Sequence, residues 1–399
     1  MYHIFLTADE KYVKFSSVLM SSIIKNATQD YERRPFCFHI LSDFISDTTK
    51  EKLKILQKSL SEIYPCEIKI HIQDDAQFEK YPSSGAAQNN KLSYYRLKFM
   101  SFLDDDGGGG GDKCLYLDSD MLVLSDLREL FALDLKDKIV AVVGDMGSKR
   151  AKIKFKENNE KKTFYFDENY FNAGFLLINV KEYQKAHIEE RCEDLASKCF
   201  YIKSADQDLL NACIEPKKRL KLDFAWNFFT IAYAYVITKD DKKGYLNYTK
   251  EEFNRSFENP KILHLCFKPW KFLRSFVDSK GRNINELWWE EAIKTPAFNT
   301  ELLELKSHIK DHLLYASLGA LLHRYTKSFN LLKIAHLLNH QEEDLKIAQN
   351  EQNFSDQDFA LFLLLGEMIL YARAKKKGAF SVFLKALKCI SSYEKYARR

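Results

Sequence analysis

Through residues 1–150, short β-rich runs alternate with helical ones, and no other feature of the 399-residue chain restricts its fold so tightly. β-Rich runs at 2–7, 36–41, 67–72, 113–117 and 139–143 are interleaved with helical patterns at 16–26, 46–61 and 92–103. Strands that alternate with helices pair in parallel, because each crossover helix carries the chain back to the same end of the sheet. The order predicts an α/β fold with a mostly parallel central sheet. Residues 67–72 alternate polar with apolar and read as an edge or half-exposed strand, whereas 139–143 are apolar throughout and read as a central one. From about Glu286 onward the pattern is helical, with amphipathic stretches at 302–323 and 359–373. This places a boundary between a domain of residues 1–285 and a helical appendage of residues 286–399.

Ligands of open α/β sheets bind beyond the carboxyl ends of the strands, so polar residues that directly follow strands are the ones to weigh. Three such places carry acids: Asp9, the pair Asp118 and Asp120, and Asp145. Two carboxylates spaced i, i+2 where a strand leaves the sheet can both reach one hard divalent cation and leave positions open for diphosphate oxygens. The plainer reading of Asp118-Ser119-Asp120 is an ordinary surface turn. With a metal, the same carboxylates would also serve a nucleotidyltransferase or a pyrophosphatase-like hydrolase. The glycine run 107–111 does not read as a phosphate loop: no Lys and Ser/Thr follow it, it opens no helix, and Asp106 and Asp112 flank it. It reads as a flexible surface loop.

Composition removes several classes. With 46% hydrophobic and 29% charged residues the chain is an ordinary globular one, and it contains no uninterrupted apolar run of membrane-spanning length. The opening residues lack a basic, apolar and small-residue export signal, so the expected location is the cytoplasm. Eight cysteines without a C-x-x-C pair argue for reduced thiols and against a zinc ribbon. A net charge of +5 without a recognised motif gives no reason to expect nucleic acid. Residues 371–399 hold many Lys and Arg and a single acid, Glu394. That end suits either an anionic membrane surface or an oligomer interface with a solvated basic face.

Four segments occur in the order Leu115-Tyr116-Leu117-Asp118-Ser119-Asp120, Phe171-Asn172-Ala173-Gly174-Phe175-Leu176-Leu177-Ile178-Asn179, Asp206-Gln207-Asp208-Leu209-Leu210-Asn211 and His264-Leu265-Cys266-Phe267-Lys268-Pro269-Trp270. In that order they resemble glycosyltransferase family 8, and within it the bacterial lipopolysaccharide and lipooligosaccharide galactosyl- and glucosyltransferases, over residues 1–275. The resemblance implies a GT-A type nucleotide-sugar-binding domain and a retaining, UDP-sugar-dependent hexosyltransferase with a manganese or magnesium ion. It implies metal ligation by Asp118, Asp120 and His264. Donor contacts would come from Ala8, Asp9, Tyr12, Arg96, Asp118, Ser119, Asp145, Asn172 and Ala173, with Asp9 on the uridine and Tyr12 stacked on uracil. Asp206, Gln207 and Lys268 would be the catalytic set, Lys268 donating to the departing diphosphate. Asp208 reads as structural.

The chain departs from the family's pattern at Lys11, where relatives often carry Asn, and in a shorter loop between His264 and Lys268. The implied partners are a UDP-hexose and a saccharide or lipid-linked saccharide acceptor, met at the cytoplasmic face of the inner membrane. A non-enzymatic alternative, a membrane-docked scaffold of the same ancestry, stays open at this point.

Overall fold

The computed structural model describes residues 1–28, 32–83, 91–104, 112–146, 152–233, 248–272, 275–309, 313–339 and 356–397. The glycine run 107–111 lies outside them. The chain divides into two compact units, one of Met1–Asn227, Gly244–Leu263 and Lys294–Asn299, the other of Phe228–Lys243, His264–Ile293 and Thr300–Arg399.

The first unit contains β1 (Tyr2–Thr7), β2 (Phe36–Ser42), β3 (Cys66–Ile72), β4 (Lys113–Leu117), β5 (Met121–Val123), β6 (Val140–Gly144), β7 (Lys152–Glu157), β8 (Glu160–Tyr165), β9 (Phe171–Asn179), β10 (Cys199–Tyr201) and β11 (Arg219–Lys221). A seven-stranded sheet runs in the order β11-β6-β9-β4-β1-β2-β3. Strand β9 is antiparallel to both neighbours, while the other adjacent pairs are parallel. The alternating run 67–72 is the edge strand β3, and the apolar run is β6, flanked on both sides and buried along its length. A second sheet, β10-β7-β8, stands apart in strand order.

The helices that cover the sheet follow from their caps and stripes. Ser46 caps the helix Asp47–Ser61, accepting from the Thr49 N–H at 3.2 Å, and that helix buries only Thr49, Leu53, Leu56 and Leu60, a single stripe at helical spacing. The helix Val13–Lys25 is buried almost all round, with β5 and the helix Asp47–Ser61 packed on it. Between β3 and β4 the structure corrects the sequence reading. Residues 92–103 do not form one helix but a 3-10 segment, Leu92–Leu97, and a short α-helical turn, Ser101–Asp104. Tyr94, Tyr95, Arg96 and Leu97 are all buried, so no single helical face could serve them. On the sheet, the imidazoles of His3, His39 and His71 from β1, β2 and β3 form a hydrogen-bonded row with nitrogen separations of 3.0 and 2.9 Å.

In the second unit, Trp270 packs on Trp288 and Trp288 meets Trp289 edge-on, with centroids 5.2 and 4.8 Å apart. The expected stretch 302–323 is divided between the helices Asn299–His308 and Leu313–Lys327, and Asp356–Ala374 and Ala379–Ala397 follow. The helices Leu313–Lys327 and Asp356–Ala374 press together at two glycines: a Cβ on Gly319 would stand 1.7 Å from the Phe362 carbonyl oxygen, and one on Gly366 2.0 Å from that of Tyr315. No helix among the described residues is long and apolar enough to cross a membrane.

Candidate active site

Strand β4 ends at Leu117, and the Asp118 N–H leaves the sheet by donating to the Gly174 carbonyl of β9 at 2.8 Å. The turn Asp118-Ser119-Asp120 is fixed from beneath by Ser119, which donates to the Thr7 carbonyl and accepts from the Ser16 hydroxyl, both at 2.8 Å. Gly174 leaves the room that the Asp118 carboxylate occupies, since a Cβ there would lie 2.4 Å from its Oδ2. Both carboxylates line a cavity of about 330 Å³ together with Ala8, Asp9, Tyr12, Arg96 and Tyr116.

Arg96, delivered by the 3-10 segment, joins this cavity to the next group of residues. Its Nη2 lies 2.8 Å from Asp118 Oδ1, its Nε 3.0 Å from Asp206 Oδ2, and its Nη1 donates to the Ala173 carbonyl at 2.8 Å, while the guanidinium covers the Tyr116 ring at 4.3 Å. Burial opposes its charge, yet the Asp118 and Asp206 carboxylates hold its pKa above the ordinary arginine value. Asp206 itself is pushed up to about 7 by burial, against the pull of Arg96. It is the second residue of the helix Ala205–Cys213, whose first residue has the left-handed φ of 41°, a costly conformation for alanine that sets the direction of the helix start.

The remaining polar residues form one hydrogen-bonded chain. Gln207 Oε1 accepts from Asn172 Nδ2 at 2.8 Å and from the Ala173 N–H at 3.0 Å, and its Nε2 donates to Asp145 Oδ2 at 3.2 Å and to the Tyr170 hydroxyl at 3.1 Å. The amide of Gln207 is thereby held in one orientation, its carbonyl toward β9 and its NH2 toward β6. Asp208 has the structural role the sequence suggested: it accepts from the Tyr170 hydroxyl at 2.5 Å and from the Lys203 and Ser204 N–H groups at 2.9 Å.

On the other side of the cavity Asp9 Oδ1 accepts from the Tyr12 N–H at 2.8 Å, which fixes the loop leading into the helix Val13–Lys25. His264 and Lys268 belong to the second unit. There the Phe229 ring stacks on the His264 imidazole, 4.8 Å away and inclined by 21°, and the Lys268 carbonyl accepts from the Lys271 and Phe272 N–H groups, closing a turn after Pro269.

Several neighbours of these residues were not singled out from sequence. Tyr116 donates to Thr7 Oγ1 at 3.0 Å and reaches Asp118 Oδ1 at 3.4 Å, and strand alternation places it on the face of Asp118, so the signal was available. Asn227 donates to Asn172 Oδ1 at 2.9 Å, and Glu10 accepts from the Ser46 N–H and the Ser46 and Thr49 hydroxyls at 2.9, 2.7 and 2.6 Å. Neither contact has a local sequence signal.

The chain is similar to several known proteins. The sequence pattern of the family described as glycosyl transferase family 8 matches residues 3–274. The chain is 34% identical over 206 residues to the lipopolysaccharide 1,2-glucosyltransferase of Escherichia coli, covering 51% of this chain and 56% of that protein. It is 29% identical over 263 residues to glycosyltransferase GlyA of Streptococcus pneumoniae serotype 4, covering 65% and 31%. General stress protein A of Bacillus subtilis is 26% identical over 273 residues, covering 67% of this chain and 87% of that one. The matched part thus spans little more than half of the Escherichia coli relative and under a third of GlyA. Among solved structures, the bifunctional glycosyltransferase WbbM superposes with a TM-score of 0.57 at 18% identity, covering 77% of this chain and 52% of that one. Galactosyltransferase LgtC, solved with donor and acceptor sugar analogues, superposes with a TM-score of 0.51 at 23% identity, covering 73% and 96%. These likenesses show a shared fold, of the GT-A type.

Proposed function

The chain belongs to glycosyltransferase family 8, and from that premise we propose that it transfers a hexose, galactose or glucose, from a UDP-sugar to a lipopolysaccharide or lipooligosaccharide acceptor with retention of configuration. The observation that carries this reading is the position of Arg96, paired with Asp118 on one side and Asp206 on the other. A diphosphate and the sugar attached to it need two such adjoining sites, one anionic and metal-receptive, the other rich in short hydrogen-bonding side chains.

Asp118, Asp120 and His264 would hold a manganese or magnesium ion. Two carboxylates and one imidazole are a fitting donor set for such an ion, and the glycine at 174 gives the Asp118 carboxylate its room. The strand Ile262–His264 begins beside β5, which directly follows Asp120: the Leu124 N–H donates to the Lys261 carbonyl at 2.8 Å. When bound, the ion supplies positive charge to the leaving diphosphate.

The protein's own residues do the rest. Asp9 and Tyr12 take the uridine, Tyr12 by stacking, and Ala8, Arg96 and Ser119 border the donor beside it. Asp145, Asn172 and Ala173 hold hydroxyls of the hexose, Gln207 orients them, and Lys268 donates to the diphosphate as it departs. Asp206 is buried and ion-paired, a poor position for a nucleophile, so we favour a front-side departure and return over double displacement. Residues 1–285 are the catalytic domain in this reading. Residues 286–399 would bring the enzyme to the cytoplasmic face of the inner membrane, or join copies of it, through their basic end.

The test is UDP release from a panel of UDP-sugars, with manganese or with chelator, for the wild type and Asp120→Ala, and an anomeric assignment of the product by NMR. Release that needs both metal and Asp120, with retained configuration, is the expected result. Metal-independent turnover, or no turnover of any UDP-sugar with lipooligosaccharide extract as acceptor, would sink the proposal.

A further inference from the structure

The hairpin of β7 and β8 is inserted between β6 and β9, β10 joins it from beyond β9, and the two faces of the resulting sheet differ in chemistry. Antiparallel partners share a face, and β7 pairs Lys152 with Tyr165, Lys154 with Thr163 and Lys156 with Lys161, while Lys154 also faces Tyr201 of β10. One face therefore presents lysine, tyrosine and threonine and, within its strands, no carboxylate. Glu157 and Glu160 pair with each other on the opposite face, where Lys162 lies 2.5 Å from Glu157. That opposite face also carries Ile153 and Phe155, which line a cavity with Leu195 of the helix Ile188–Lys198. The lysine face is thus the outer one, and Tyr165 and Tyr201 on it are 68% and 45% exposed.

Lysines on an edge strand often serve only to block pairing with other chains. That accounts for Lys161 on the edge strand β8 but not for Lys152, Lys154 and Lys156, because β7 is the central strand of the three. An ordinary solvated face also mixes both signs of charge. Here the lysines are interleaved with tyrosines, the Lys152 and Lys154 ammonium groups standing 5.6 and 5.7 Å from the ring centroids of Tyr165 and Tyr201. Positive charge on flexible stems beside amphipathic rings is the composition that settles at a phospholipid headgroup layer. Four lysines spread along two paired strands match an extended anionic surface better than a single soluble anion.

We propose that this face, through Lys152, Lys154, Lys156, Lys161, Tyr165 and Tyr201, docks the protein on the anionic headgroup layer of a phospholipid bilayer. The docking stands independently of the reaction assigned above. Its benefit to a lipid-linked acceptor rests on that assignment, since β6 and β9 lead to Asp145 and Asn172.

The experiment is co-sedimentation of the full chain with phosphatidylglycerol-containing vesicles and with phosphatidylcholine vesicles. It compares the wild type, the triple variant Lys154→Gln, Lys156→Gln, Lys161→Gln, and a second triple variant Lys375→Gln, Lys376→Gln, Lys377→Gln. Circular dichroism and soluble UDP-sugar turnover check that each variant is folded. The wild type should bind the anionic vesicles only, more weakly at higher salt, and the first triple variant should lose about a hundredfold in partition coefficient. The idea is overturned if the wild type ignores anionic vesicles, if the first variant binds as the wild type does, if the second variant alone abolishes binding, or if a soluble polyanion is preferred to vesicles.

Discussion

At the scale of single residues, the cavity depends on what is missing as much as on what is present. Gly174 has no side chain where Asp118 turns its carboxylate, and a methyl group there would meet Asp118 Oδ2 at 2.4 Å and Asn172 Oδ1 at 2.8 Å. Gly174→Ala should therefore displace one proposed metal ligand and one proposed sugar contact together. The manganese concentration needed for half-maximal turnover should rise on the order of tenfold, about 1.4 kcal/mol of lost ligation. A metal titration of turnover checks this, and an unchanged half-maximal concentration with an intact fold would remove Asp118 from the metal site. Asp118 and Asp145 are legible in the sequence because each directly follows a strand, and Asp120 because it lies two residues beyond Asp118, where the rule for open sheets directs attention. Arg96 was found by resemblance alone. Its tripartite engagement depends on a 3-10 segment whose buried aromatics carry no periodic signal.

At the scale of elements, two close contacts make firm predictions. The helices Leu313–Lys327 and Asp356–Ala374 approach so nearly at Gly319 and Gly366 that an added Cβ would overlap backbone carbonyls, which cannot swing aside. Gly319→Ala or Gly366→Ala should each destabilise the second unit by about 1–3 kcal/mol, read as a lowered denaturant midpoint, despite alanine's better helix propensity. An unchanged or raised midpoint would mean that the helices are not in contact at these points. The histidine row concerns the sheet. Burial, with His71 and His3 adding to it, lowers the pKa of His39 from 6.5 to about 2. A base whose folded pKa is depressed contributes its full stability above pH 6.5 and loses it as pH falls toward 2, because the unfolded chain takes up the proton that the folded chain refuses. The slope is at most about 1.4 kcal/mol per pH unit. Urea midpoints measured across that acid range should fall less steeply for His39→Leu than for the wild type. Equal slopes would show that His39 is protonated in the folded protein.

Of the elements themselves, the sequence told most where periodicity had one cause. The edge strand β3 alternates and is half-buried along most of its length, whereas β6 is uniformly apolar because both of its faces are buried. The hairpin of β7 and β8 has little hydrophobic signal in the sequence, although Asn158 and Asn159 supply the two positive φ values, 50° and 64°, that a tight hairpin turn requires. Strand β8 is exposed along its whole length, so the hydrophobic alternation that marks a half-buried strand is absent there.

For the molecule as a whole, binding and folding are linked. A nucleotide that binds only the folded first unit stabilises it by about 2.7 kcal/mol at a hundred times its dissociation constant. UDP with manganese should raise the thermal midpoint of the wild type, UDP with chelator should raise it less, and in Asp120→Ala the two should coincide. Differential scanning fluorimetry reads this without any acceptor, and a metal-independent shift in the wild type would remove the cation from donor binding.

Arg96 touches Asp118, Asp206 and the Ala173 carbonyl at once. The consequence is epistasis: substituting either Asp118 or Asp206 leaves the guanidinium one carboxylate, whereas substituting both leaves a buried charge with neither, so the second would cost more than the first. Under the function proposed above, a redesign for another sugar that altered the Asp206 end would also retune the proposed cation site at the Asp118 end. Under that reading sugar choice and metal dependence would not be selected independently, and a substitution at one end would narrow those tolerated at the other.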